Sequence, residues 1–173
     1  MSDLRTATHD VHQAAEETGI SKMLITGDFT ADEWAAFLSN QYLIRQAIEE
    51  RDIIKMPELL SAPKVLNDLH ALGLDIIGVV NSTVDYVEYI KQISEHKLWS
   101  HIYAIYLGDL YGGQVIRKAL KDKLPISMLE FEDRAPLIAY VRANLVDADQ
   151  QEAVEAFNWI IRIYQDLYNS LRG

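Results

Sequence analysis

Three glycines interrupt a stretch that otherwise reads as helix, His101-Ile102-Tyr103-Ala104-Ile105-Tyr106-Leu107-Gly108-Asp109-Leu110-Tyr111-Gly112-Gly113-Gln114-Val115-Ile116. Each glycine inside a helix costs about 1 kcal/mol relative to alanine. Gly108 and Gly112 are four residues apart and therefore share a face, where missing side chains let something approach the backbone closely. Two occupants suit that gap, a flat ligand or a second helix. Asp109 lies on the neighbouring stripe with Ile105 and Gly113, between apolar Leu107 and Leu110. A carboxylate in such surroundings needs a partner or water, which favours the ligand.

A second group with chemical potential lies near the N-terminus. Arg5, His9, His12 and Glu16 are spaced by four, three and four residues and share one helix face. A neutral imidazole offered from a helix can ligate iron, and a cation one or two turns back can pair with an anionic substituent of the same ligand. A solvated helix face is the plainer reading of the same residues. A carboxylate-bridged di-iron site needs Glu-x-x-His pairs, and none of His9, His12, His70, His96 or His101 has a glutamate three residues before it. Phosphate-binding loops, nucleophile elbows and His-Glu-x-x-His are absent. His101 reads as a packing histidine, and His70 and His96 as solvated ones.

The elements that must carry these groups are helices. Apolar residues recur at helical spacing almost throughout, with no alternating run bounded by a hairpin turn. The pattern predicts a first helix over residues 2–17 stopped by a Gly19 cap, an irregular piece over 19–29, and a helix from the capping-box pair Thr30/Glu33 to Asp52. Pro57, Pro63 and Gly73 punctuate short helices. Ser82/Asp85 opens a helix to Glu95 that runs or bends into 97–121, a further helix spans 132–144, and Asp147/Gln150 starts the last one. That last helix shows Ala153, Phe157, Ile160, Ile161 and Tyr164 on one face. One all-α domain of six to eight helices over residues 1–173 follows.

Composition narrows the function. The 173 residues, 49% hydrophobic and 24% charged, describe one folded domain. The absence of cysteine excludes disulfide scaffolds, thiolate metal sites and cysteine nucleophiles. A net charge of −10, with 16 Lys and Arg against 26 Asp and Glu, argues against nucleic-acid binding. No segment is apolar enough to span a membrane, and Met1-Ser2-Asp3-Leu4-Arg5 has no signal-peptide core. The expectation is a soluble, cytoplasmic protein.

Leu4-x-x-x-Thr8-x-x-x-His12-x-x-Ala15-Glu16 together with Tyr106-Leu107-Gly108-Asp109-Leu110-x-Gly112-Gly113-Gln114 resembles the heme oxygenase family. Phe37-Leu38-x-x-x-Tyr42 with Ala47-Ile48-Glu49-Glu50 is similar to the family's second long helix, and Ala156-Phe157 with Ile161 and Tyr164 to its last. The resemblance spans nearly the whole chain, without the membrane anchor of animal members. It implies a multi-helical bundle that clamps heme b between the first helix and the glycine-kinked central one. His12 is then the proximal iron ligand, with Glu16 beside it. Gly108, Gly112 and Gly113 present backbone to the distal side, and Asp109 holds the water that steers O2. Tyr42 and Tyr106 match positions that support that water, and Phe157 matches a distal aromatic. Arg5, His9 and Arg142 match positions that reach the propionates.

Two positions depart from the family pattern. Ile105 stands where many members have an arginine, which leaves the network to Tyr42, Asp109 and water. Tyr111 replaces a serine and puts a phenol near the heme edge. The resemblance implies cleavage of heme with O2 and external electrons to biliverdin, CO and ferrous iron, ferredoxin being the donor. The alternatives are a heme-sequestering protein on the same fold and a relative that uses no heme. Docking of an acidic donor requires some of Arg5, Lys22, Arg117, Lys118, Lys121 and Lys123 to gather near the heme edge.

Overall fold

The computed structural model describes residues 2–173, so Met1 lies outside the described residues. Among them there is helix and loop but no strand, as the apolar spacing predicts. No helix among the described residues is long and apolar enough to cross a membrane.

The first helix is two. α1 (Ser2–Ala7) and α2 (His9–Glu16) meet at Thr8, whose backbone leaves the helical region at φ −101° and ψ 3°. The Thr8 hydroxyl donates to the Leu4 carbonyl at 2.7 Å, a local bond that competes with the regular ladder. Gly19 does not cap this helix. It opens α3 (Gly19–Thr26), where irregular chain is expected, and Thr18 is the N-cap, accepting from the Ser21 amide. A side chain at Gly19 would collide with the Tyr168 ring, so close approach explains that glycine. The left-handed cap is Gly27 at φ 73°.

α4 (Ala31–Glu49) starts on the expected capping box: Thr30 donates from its amide to Glu33 at 2.9 Å, and Glu33 from its amide to Thr30 at 3.1 Å. α4 is the axis of the molecule, packed against α5 (Ala62–Ala71) and α6 (Asn81–Gln92). Two expected helix starts lie elsewhere. α6 begins at Asn81 after Val80, and Ser82 lies buried inside its first turn with no partner for its hydroxyl among the described residues. The last helix, after α7 (Glu95–Ile102), α8 (Gly108–Leu110), α9 (Gly113–Leu120) and α10 (Arg134–Ala143), is α11 (Gln150–Arg172). Its cap is Asp149, which accepts from the Glu152 amide at 3.0 Å, and not Asp147.

Between α7 and α8 the backbone widens into a π-helix over Tyr103–Leu107, and at Tyr111 it leaves the helix altogether (φ −106°, ψ −83°). The glycine stretch is thus a kinked element and not one straight helix. Two of the freed carbonyls find side-chain donors, Arg134 to Leu110 at 2.7 Å and Gln114 to Asp109 at 3.2 Å, so the kink leaves neither orphaned.

Candidate functional site

α2, α3, α4, the kinked segment and α11 enclose a cleft of about 310 Å³. That is within the range of ligand pockets in general. His12, Ala15 and Glu16 of α2 line it together with Gly108, Asp109, Gly112 and Gly113 of the kinked segment. Phe157, Ile160, Ile163 and Tyr164 of α11 close the end with Ile44 and Ile105, while Ile25, Val115 and Ile116 lie at the rim.

The two occupants that the glycine spacing allows are separated by what a side chain would meet there. A Cβ built at Gly108 has no neighbour within 4 Å, and one at Gly112 meets only the Gly108 carbonyl, at 3.7 Å. No helix packs on that face; it is open to the cleft. Gly113 differs, because its Cβ would press on Leu129 at 2.9 Å, so it serves packing as well as lining the cleft.

His12 is solvent-open and points its two nitrogens to different fates. Nδ1 is 3.3 Å from a Glu16 carboxylate oxygen, and Nε2 has no hydrogen-bond partner among the described residues. The Phe157 ring packs edge-on at 5.5 Å. A carboxylate beside Nδ1 leaves Nε2 free to ligate, and metal-binding histidines commonly have such a neighbour at their other nitrogen.

Asp109 is buried and forms a two-toothed ion pair with Arg45 of α4: Nη1 donates to Oδ2, and Nη2 to Oδ1 at 3.0 Å. The remaining guanidinium donors go to the Ser61 hydroxyl (3.0 Å) and the Gln41 carbonyl oxygen (3.1 and 3.2 Å), so all five are used. Burial pushes the Asp109 pKa up and Arg45 opposes it, while the carboxylate holds the Arg45 pKa above its ordinary value against burial. Tyr164 at the cleft end is raised to about 12, chiefly by burial.

Several expected positions fall elsewhere. Tyr42 is turned away from the cleft, since α4 shows it Gln41, Ile44 and Arg45; its hydroxyl accepts from Gln46 at 3.1 Å. Tyr106 is buried behind the wall and donates to Glu49 at 2.6 Å. Glu49 in turn accepts from the Ser61 and Ala62 amides at 2.9 and 3.1 Å, capping α5. Arg5 and His9 are exposed outside the cleft, His9 against Asp10 at 3.3 Å. Arg142 donates to the Tyr111 hydroxyl and lies over that ring at 5.7 Å, so neither faces the cleft. His101 is buried between the Tyr86 hydroxyl (2.6 Å) and Glu152 (2.8 Å), and burial lowers its pKa. His70 and His96 are exposed, as read.

Arg45 and Gln41 are the residues sequence reading misses; of the network expected of Tyr42, Asp109 and water, Tyr42 lies outside the cleft and Asp109 is held by Arg45. The signal was available: Arg45 stands among Ile44, Ala47 and Ile48, all buried, and a charge in an apolar stripe needs a partner for the same reason Asp109 does.

The model of the family described as heme oxygenase matches residues 1–166. The chain belongs to the heme oxygenase family. A heme oxygenase of Guillardia theta is 29% identical over 199 residues, covering 95% of this chain and 84% of the relative. The crystal structure of heme oxygenase-2 from Synechocystis, in complex with heme and NO, superposes with a TM-score of 0.84 at 28% identity, covering 97% of this chain and 84% of that one. The heme oxygenase structure from Leptospira interrogans gives 0.80 at 27%, covering 95% and 97%.

Proposed function

We propose that the protein is a heme oxygenase that opens heme with O2 and external electrons to give biliverdin, CO and ferrous iron. The observation that carries this reading is the cleft itself, which an imidazole with a free Nε2 lines together with a glycine-cleared backbone bearing an ion-paired aspartate.

Heme, as the substrate, supplies the iron at which O2 is reduced. The apolar wall of Ile44, Ile105, Phe157, Ile160 and Ile163 suits a macrocycle, while His12 Nε2 is the nitrogen available to the iron. Glu16, with a carboxylate oxygen 3.3 Å from Nδ1, is the group beside that ring that can take its N–H. Gly108 and Gly112 withhold side chains from the cleft, leaving room for a small ligand beside the backbone. Asp109 is the group there that can accept a hydrogen bond from a water and orient its proton, because Arg45 holds the carboxylate in place. Anionic substituents of the ring would meet no cation at Arg142, which Tyr111 occupies.

Electrons come from a separate protein, since the chain has no cysteine for a cluster. A ferredoxin fits the surface: packing of α3 against α9 places exposed Lys22, Lys118, Lys121 and Lys123 on neighbouring elements beside the apolar rim of Ile25 and Val115. Arg5 lies apart on α1, which packs on α11.

Reconstitution with hemin and a ferredoxin reducing system tests the proposal. Loss of the Soret band with appearance of biliverdin is the expected result. A hemin complex that is reduced yet stable would make the protein a heme carrier, and failure to bind hemin would remove heme from its function.

A further inference from the structure

The cleft that His12 lines contains a clamp whose centre is Arg45 rather than Asp109. Arg45 is 3% exposed and gives every donor to a side chain: two to Asp109, two to Gln41 and one to Ser61. Ser61 is itself fixed, its amide donating to Glu49. A planar fork with all its donors engaged has one position, and a two-toothed bond to a carboxylate has one orientation. Gln41 presents its carbonyl oxygen to the guanidinium, so its amide nitrogen is the opposite end. That nitrogen makes no hydrogen bond among the described residues, although Gln41 is 7% exposed and lines the cleft. The other titratable groups that act on the pair are Lys64, Tyr106 and Tyr164.

We propose that Arg45 is the positioning residue of this clamp: its fork fixes the Asp109 carboxylate, ionised, at one part of the cleft and turns the Gln41 amide so that its N–H donors are free at another. The inference rests on the heme oxygenase reading for its purpose, since the free donors and the fixed acceptor suit a small polar ligand and a water beside the substrate ring. The geometry itself belongs to the protein without heme.

The test therefore begins on the heme-free protein. The Asp109 side-chain carboxyl carbon is followed by NMR against pH in the wild type, in Arg45→Leu and in Arg45→Lys. Loss of the fork leaves only Lys64 to oppose burial, so the Asp109 midpoint rises by about one pH unit or more, a tenfold gain in proton affinity, in Arg45→Leu. Arg45→Lys keeps the charge and loses the two-toothed geometry, so its midpoint rises less. An unmoved midpoint in Arg45→Lys overturns the inference, and that variant decides alone if Arg45→Leu does not fold. On hemin complexes, Arg45→Lys retains hemin affinity while kcat falls about 10–100-fold through misplacement of Asp109; wild-type kcat contradicts the inference. For Gln41, the infrared stretch of CO added to the ferrous hemin complex shifts in Gln41→Leu, and an unchanged stretch removes the donor role. Absence of heme cleavage in all variants and the wild type, with the NMR shift present, would defeat the heme oxygenase reading and leave the clamp standing.

Discussion

Gly108→Ala separates a ligand-facing glycine from a packing glycine by sign. Gly108 has ordinary right-handed helical angles, φ −55° and ψ −46°, which alanine adopts without strain. The added methyl would meet nothing within 4 Å in the heme-free protein. Removing the conformational freedom of glycine should then stabilise the fold by about 1 kcal/mol, roughly a fivefold gain in the folded-to-unfolded ratio. For a chain of this size the melting temperature rises by about 2–4 °C. The same methyl projects into the cleft, where overfilling a well-packed space costs about 1–3 kcal/mol and weakens hemin binding by roughly 5- to 150-fold. Thermal unfolding of the heme-free protein and absorbance titration with hemin measure the two effects separately. A less stable variant would show that another element packs on Gly108, and a stable variant with wild-type hemin affinity would show that the cleared face is not where the ligand lies.

The other expectations concern single groups. His12→Ala should leave stability within about 0.5 kcal/mol, because the side chain is 58% exposed, yet abolish the histidine-ligated hemin spectrum, with added imidazole restoring it; an unchanged spectrum assigns the ligand elsewhere. Glu33 is held down to about 2 from its ordinary 4.5, first by its hydrogen bonds from Arg172 at 2.8 and 2.9 Å. A depressed carboxylate stabilises the fold above its unfolded pKa, so the stability gap between wild type and Glu33→Gln should be full at neutral pH and shrink from pH 4.5 towards pH 2. Denaturant melts across that window check it, and a gap that persists at the acid end refutes it. Reduction of the hemin complex by ferredoxin should slow as salt rises from low to physiological levels, and a salt-independent rate would remove electrostatic docking through the α3 and α9 lysines.

The fold was legible wherever local physics decides it. The Thr30/Glu33 capping box, the helical apolar spacing and the apolar face of α11 all depend on residues within a few positions of one another. Gly19 misled because a glycine serves a close approach as readily as a left-handed cap, and only the distant Tyr168 ring distinguishes the two. Ser82 misled because a serine three residues before an aspartate is a box only if the chain turns into helix there, and α6 has already begun. In the site, the His12/Glu16 pair and the Gly108/Asp109/Gly112 group could be read from spacing, because each lies within five residues of chain. The Arg45–Asp109 pair could not, since 64 residues separate its members and packing alone brings them together. Tyr42 and Tyr106 stand one residue or one turn from the cleft-lining stripe, a difference that depends on how α4 and the π-helix are rotated.

Hemin turnover with chromatography of the product tests the central claim most directly. With a ferredoxin system supplying electrons, the account predicts that the Soret band is lost and biliverdin is recovered. A hemin complex that accepts electrons and keeps its Soret band, with no bilin in the extract, would contradict it.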